Sequence, residues 1–185
     1  MRKTGIMIIV AAALLAALFA GCGPSGAAVP LDQEFISYGG DFSLNAPDTW
    51  GYYDAVAQED MVLASYNYDT AYASVFFYSS EYYPISLAEA TDITKRLYGD
   101  NIIDDVRDLK VNGMDAKAFQ YSMVDLSELG EEYNYHGLEY LIQTPLGIVE
   151  IDINYAQGKL EGKIFDPSKD DLELLARIAE SLKVQ

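Results

Sequence analysis

The sequence predicts an α+β domain, a central antiparallel β-sheet with helices packed on it. Two observations carry that expectation. Period-2 runs of β-branched and aromatic residues recur along the body of the chain, several of them joined by tight-turn signals. Only two segments show helical spacing of apolar residues behind a serine cap. At 185 residues one domain is the natural expectation.

In chain order, Met1-Arg2-Lys3 is a short basic start, and Gly5 to Ala20 is an uncharged, mostly apolar stretch. It is shorter than the roughly 20 residues that cross a bilayer core as a helix. Small residues and a cysteine follow, Leu18-Phe19-Ala20-Gly21-Cys22, so a cleaved signal peptide fits better than a permanent anchor. This stretch resembles the lipobox of bacterial lipoproteins, with Phe19 bulkier than the usual occupant of its slot. The resemblance implies a diacylglycerol thioether on Cys22 and cleavage before it. The alternative is an ordinary secretory leader with an incidental cysteine. The chain has one cysteine, and its falling at this position favours lipidation. Acylation then leaves no thiol for a disulfide or a Cys metal site. The expected organisation is residues 1–21 signal peptide, 22–33 lipidated Cys22 and flexible tether, and 34–185 the α+β domain. Two acyl chains anchor stably where one binds marginally.

After the tether, Phe35–Tyr38 and Asp41–Leu44 flank Gly39-Gly40, a hairpin-type connection. Met61–Tyr68 and Ala73–Ser79 read as neighbouring antiparallel strands separated by Asp69-Thr70-Ala71. Ser86 with Glu89 forms a capping box opening a helix to Tyr98, stopped at Gly99. Ile102–Val111 and Met114–Val124 flank Asn112-Gly113, the strongest hairpin signal in the chain. Asp125–Glu132 is expected as a short helical turn or a loop. Tyr135–Thr144 and Ile148–Tyr155 flank the turn Pro145-Leu146-Gly147. In the last strand Val149, Ile151, Ile153 and Tyr155 alternate with Glu150, Asp152 and Asn154. That alternation predicts one buried face and a second that is either wet or covered by helices. Ser168 with Asp171 opens the second helix, a weaker box because Asp replaces Glu, and Leu172, Leu175, Ile178, Ala179 and Leu182 form its apolar stripe.

Three stretches resemble the PsbP-like superfamily, which includes DcrB-like bacterial lipoproteins. They are Gly40-Asp41-Phe42-Ser43-Leu44-Asn45-Ala46-Pro47-Asp48-Thr49-Trp50, then Val111-Asn112-Gly113-Met114-Asp115-Ala116, then Ile178-Ala179-Glu180-Ser181-Leu182-Lys183. The resemblance implies an antiparallel sheet flanked by helices, in a fold that hosts unrelated binding roles: photosystem support, Ran binding and cell-envelope functions. It carries over no catalytic residue. The first two stretches also have a structural account: Pro47 cannot donate to a ladder, Trp50 plugs a core, and Asn112-Gly113 accepts positive φ.

Charge narrows the function. The chain carries 29 Asp+Glu against 12 Lys+Arg, a net of −17, and loss of Arg2 and Lys3 with the leader makes it more negative still. Such a chain repels phosphate backbones, which argues against nucleic acid. His136 is the only histidine, on a strand face with Leu138 and Tyr140, and reads as a partly exposed strand residue rather than a base. No GxSxG, phosphate-binding glycine loop or HExxH occurs, and no cofactor is expected. No base lies between Cys22 and Thr94. Asp104-Asp105 with Asp108, and Asp166 with Asp170 and Asp171, could gather oxygen ligands for Ca²⁺, although neither has EF-hand spacing. Solvation of an exported domain is the plainer account of them.

Tyrosine is the other excess, at 15 residues. Tyr66, Tyr68, Tyr72, Tyr78, Tyr82 and Tyr83 fall close together, and stiff amphipathic rings suit stacking on sugars or docking on protein. Tyr66, Tyr68, Tyr72, Tyr82 and Tyr83 form the candidate binding face. The competing expectation places the tyrosines in the core layer with Val75, Phe77 and the aliphatics of the first helix. The function expected is a membrane-anchored, extracytoplasmic lipoprotein with a non-catalytic binding role at the cell envelope, toward a protein partner. A small-molecule or Ca²⁺ binder is the first alternative, and a carbohydrate-active enzyme with paired carboxylates the second.

Overall fold

A computed structural model describes residues 28–53, 60–65, 71–126, 132–158 and 167–185. The chain enters a small sheet first. Strand β1 (Gln33–Ile36) pairs antiparallel with β2 (Phe42–Ala46), Ile36 opposite Ser43. The connection between them closes with Gly40 at φ 80° and its N–H on Ser37 O at 2.9 Å. Trp50 does more than plug the core: it begins β3 (Trp50–Tyr52), which pairs with β4 (Met61–Ser65). The rest of the predicted strand, with Tyr66 and Tyr68, lies outside the described residues, as does Cys22.

β5 (Ala71–Ser79) pairs with β4 on one edge and β9 (Gly147–Gly158) on the other. β6 (Arg107–Val111), β7 (Met114–Leu126) and β8 (Glu132–Gln143) complete a seven-stranded antiparallel sheet in the order β3-β4-β5-β9-β8-β7-β6. β6 is shorter than the predicted Ile102–Val111 run. A 3-10 turn, Gly99–Asn101, and an isolated bridge from Ile102 to Tyr121 occupy its first part. β7 continues to Leu126 and β8 starts at Glu132, so strand replaces both ends of the expected 125–132 turn. Asn112 (φ 47°) and Gly113 (φ 85°) form the two-residue turn that their sequence predicts. Asn112 Nδ2 also donates to Leu182 O at 2.7 Å, tying that hairpin to the end of the chain.

Helix α1 (Leu87–Tyr98) opens on the predicted capping box. Glu89 N–H donates to Ser86 Oγ at 3.2 Å, and Ser86 N–H donates to Glu89 Oε2 at 2.9 Å. Gly99, at φ 54°, stops it and donates its N–H to Lys95 O. Ser86→Ala removes the Ser86 side-chain half of the box and is expected to cost about 1 kcal/mol, read as a lowered urea midpoint. Helix α2 (Lys169–Ala179) has a complete box as well, because Asp171 Oδ2 accepts from Ser168 N–H at 2.9 Å. It ends before Leu182, which is buried in the turn leading to β10 (Lys183–Val184). β10 adds to the free edge of β2, giving the small sheet the order β1-β2-β10.

The large sheet buries both faces. On one, Val75, Ile151, Ile153, Leu138 and Tyr140 meet Phe35, Phe42 and Leu44 of the small sheet and Leu175 and Ile178 of α2. Each fully buried side chain of this size contributes roughly 1.5–3 kcal/mol. On the other, α1 lies over β7 and β8, with Ala90, Leu141 and Ile148 forming a smaller cluster. Of the two outcomes allowed by the β9 alternation, this is the helix-covered one. Among the described residues no helix is long and apolar enough to cross a membrane.

Candidate functional site: an acid and tyrosine face beside α1

The face under and beside α1 follows from strand alternation and register. In β9 the apolar Val149, Ile151 and Ile153 point to the large core, so Glu150, Asp152 and Asn154 point to the α1 side. Register sets Asp152 opposite Glu139 of β8, and Glu139 opposite Phe119 of β7. On the other side Tyr72, Ser74 and Phe76 of β5 stand opposite Asn154, Asp152 and Glu150. One face thereby gathers three carboxyls from two neighbouring strands.

α1 contributes the last member. Its buried residues are small, Ala90, Thr91 and Thr94, so it approaches the sheet closely and sets Tyr98 over it. Tyr98 OH donates to Glu139 Oε2 at 3.0 Å. Its ring packs on Phe119 and Tyr121, with centroids 5.3 and 4.5 Å away. Tyr121 OH donates to Asp152 Oδ1, and Asn154 Nδ2 reaches the same oxygen at 3.1 Å. Glu139 is 0% exposed, and its Oε1 has no partner among the described residues; Asn154 Oδ1 is likewise unpaired. The same helix turns Ile93 and Leu97 outward into solvent.

Burial favours the protonated forms of Glu139 and Asp152. Burial, then the charges of Asp152 and Glu150, hold the Glu139 carboxyl well above the ordinary range. Burial also raises Asp152, against the opposing hydrogen bonds from Tyr121 and Asn154. Burial and the adjoining carboxylates push the hydroxyls of Tyr98 and Tyr121 up as well. A protonated Glu139 is a hydrogen-bond donor inside the sheet–helix layer, with no path for substrate to a fully covered side chain.

Away from α1 the face carries aromatic rings. Tyr53 meets Tyr72 edge-on, with centroids 5.5 Å apart. Burial, then the nearby hydroxyls of Tyr53, Tyr135 and Tyr133, raise the pKa of Tyr72. Tyr53 is exposed, while Tyr72, Tyr133 and Tyr135 are half-buried.

The predicted tyrosine set is only partly on this face. Tyr66 and Tyr68 lie outside the described residues, and Tyr72 is in place. Tyr82 and Tyr83 are exposed beyond the far end of β5, where Tyr83 meets Tyr78 edge-on at 6.0 Å. The alternative of a half-buried layer with the first helix's aliphatics holds for Tyr78, which packs with Leu87 of α1 on the Ala90–Leu141–Ile148 cluster, but that layer is not the one of Val75 and Phe77. Tyr72 and Tyr78 alternate with those residues, so they face the α1 side while Phe77 packs on Phe42 at 4.9 Å in the opposite layer. Sequence reasoning missed Tyr53, Tyr133 and Tyr135, and it missed the Glu139–Asp152 pair. The Glu150–Asp152–Asn154 alternation was the available signal.

Three of the clustered aspartates are engaged otherwise. Asp104 Oδ1 accepts from Gln120 N–H at 2.5 Å, and Asp104 lies 3.7 Å from Arg107. Asp108 pairs with Lys117, and Asp171 caps α2; Asp166 lies outside the described residues. Among the described residues no group of three His, Cys, Asp or Glu side chains is placed to hold a metal ion. His136 is half-buried, its Nε2 at 2.6 Å from Gln120 Nε2. A shallow cleft of about 400 Å³ opens between Leu87 of α1 and Leu109, Ala116 and Gln143, with the Asp108–Lys117 pair at its rim.

No protein-family model matches the chain, and no curated protein matches it in sequence. Solved structures do. The Saccharomyces cerevisiae Ran-binding protein Mog1p superposes with a TM-score of 0.50 at 14% identity, over 82% of this chain and 94% of that one. LpqN of Mycobacterium tuberculosis, described as involved in cell envelope biogenesis, gives 0.48 at 12% identity, over 82% of this chain and 90% of its own. The likeness to Mog1p shows the α+β fold, in keeping with the architecture that the sequence predicts.

Proposed function

We propose that this chain is an extracytoplasmic lipoprotein, anchored through an acylated Cys22, whose α+β domain has a non-catalytic binding role toward a protein at the cell envelope. The observation that carries the binding role is the face beside α1, where exposed and half-buried tyrosine rings share one side of the sheet with a fully covered Glu139. Rings with polar tips supply contact area at low entropic cost. Glu139 and Asp152 accept hydrogen bonds from Tyr98 and Tyr121, and Glu139, which burial holds well above its ordinary range, is fully covered. That burial argues against the paired-carboxylate enzyme, which needs both groups open on a cleft. The engagement of Asp104, Asp108 and Asp171 by protein partners argues against the Ca²⁺ alternative.

Anchoring has its own test. Cys22→Ser is expected to abolish signal cleavage at that site and release the domain from the membrane fraction, read by mass and by fractionation. Unchanged processing and membrane association would remove the lipoprotein reading and leave the binding face untouched.

A further inference from the structure

We propose that the ring-lined part of this face binds an organic cation, a primary ammonium or guanidinium group, with Asp152 as counter-charge and Tyr53, Tyr72, Tyr133 and Tyr135 as its aromatic wall. The inference rests on the binding reading above and names the chemistry of the partner.

Three independent features converge. The first is the wall: Tyr53 and Tyr72 meet edge-on at 5.5 Å, and Tyr133 and Tyr135 are near enough to act on the Tyr72 hydroxyl. A cation held over such rings is attracted by their negative π-faces, more strongly where water is reduced. The second is the floor. Asp152 stands in register opposite Ser74, next along the strand from the Asn154–Tyr72 pair. Its hydrogen bonds from Tyr121 and Asn154 both fall on Oδ1. Burial, Tyr121, Asn154 and Glu150 set its electrostatics, and no basic side chain does. The third is an orphan. Asn154 is 7% exposed and lies between Tyr72 and Gly137, and its Oδ1 accepts from no donor among the described residues. An ammonium brings one positive charge to answer Asp152 and several N–H donors, of which the covered Asn154 Oδ1 can take one only when its amide turns outward.

The charge of the whole chain points the same way, since −17 draws cations toward the surface. A diffuse field alone gives weak, salt-screened attraction without rings or register, and the test separates the two. Seating a cation beside Asp152 also favours its ionised form, so binding expels a proton wherever the carboxyl was protonated beforehand, and affinity rises with pH across that range.

Isothermal titration at about 150 mM salt, with spermidine in one arm and a lysine-rich peptide in the other, reads both effects. Saturable binding is expected in at least one arm, with proton release seen by repeating it in buffers of different ionisation heat. The peptide arm alone assigns a basic segment of a partner protein; the spermidine arm alone assigns a free polyamine. Asp152→Asn and Tyr72→Leu should each weaken binding about tenfold, and Tyr72→Phe should retain it. The double variant Asp170→Asn, Glu173→Gln removes two charges from exposed α2 positions and should change affinity less than about twofold. Equal losses from the α2 and Asp152 variants, or no saturation in either arm, overturn the proposal. Chemical shifts of the tyrosine ring protons, followed in the unmodified protein on titration, report the same binding without a variant that must fold. A partner that still binds Asp152→Asn as well as wild type would sink the cation site while sparing the wider binding reading.

Discussion

Gly137→Ala is expected to destabilise the domain by about 3 kcal/mol or more, read as a large drop in the urea midpoint. A Cβ at this position would lie 2.5 Å from both Asn154 Cβ and Ile153 O, and 2.8 Å from Asn154 Cα. Two of those three atoms are backbone, so no side-chain rotation relieves the clash. Gly137 sits between Tyr121 and Asn154 in register. The missing side chain is what lets β9 press close to β8 where Asn154 reaches Asp152 at 3.1 Å. A loss below about 1 kcal/mol would mean that the strands separate there at little cost.

The second large effect is on pH dependence. Glu139 has an ordinary value of 4.5 and is raised well above it, first by burial and then by Asp152 and Glu150; Asp152 is raised too. From about that value upward the native state holds protons that the unfolded chain has released. Stability therefore falls as pH rises through the native values, and it levels off once the carboxyls are ionised in both states. The groups facing Glu139 are Tyr98 from α1, Tyr121 from β7, and Asp152 and Glu150 from β9, with Tyr78 of β5 next to Glu150. None is a base. Glu139→Gln keeps the shape and an acceptor for Tyr98 OH but does not titrate. It should match wild type near pH 5, decline less steeply, and gain on the order of 1–3 kcal/mol by pH 8. Urea midpoints from pH 5 to pH 8 measure this, and an unchanged slope would place the titration elsewhere. Exposed Glu34, lowered by the Lys183 hydrogen bond, and Glu89, lowered by the Ser86 N–H, act in the opposite sense at more acid pH.

Much of the fold is legible because it is local. Asn112-Gly113 can be read as a turn because φ values of 47° and 85° are what those two residues tolerate. Ser86 and Ser168 can be read as caps because their partners lie three residues on. β3 and β10 are not legible: three and two residues are too few to show a period, and both form only by pairing with distant strands. The candidate site is hidden for the same reason. Glu139 and Asp152 meet because the 145–147 turn fixes the β8–β9 register, and a one-residue slip would have sent either to the opposite face. Hydrophobic character draws Tyr72 and Tyr78 toward the Val75 layer, yet their odd spacing from Val75 excludes it. Along a strand, parity outweighs polarity.

Both ends of the domain arrive at the small sheet. Arg177 Nη1 holds Val29 O at 2.8 Å just before β1, Lys183 Nζ meets Glu34 at 3.1 Å, and Gln185 N–H donates to Asp41 O at 2.9 Å. The small sheet lies across the large one from Asp152 and its tyrosines. On the anchored reading proposed above, attachment ahead of Val29 would mount the domain by the small sheet, with the ring-lined face turned away from the membrane. A reporter fused after Gln185 would sit at that small-sheet end, leaving the ring-lined face unobstructed.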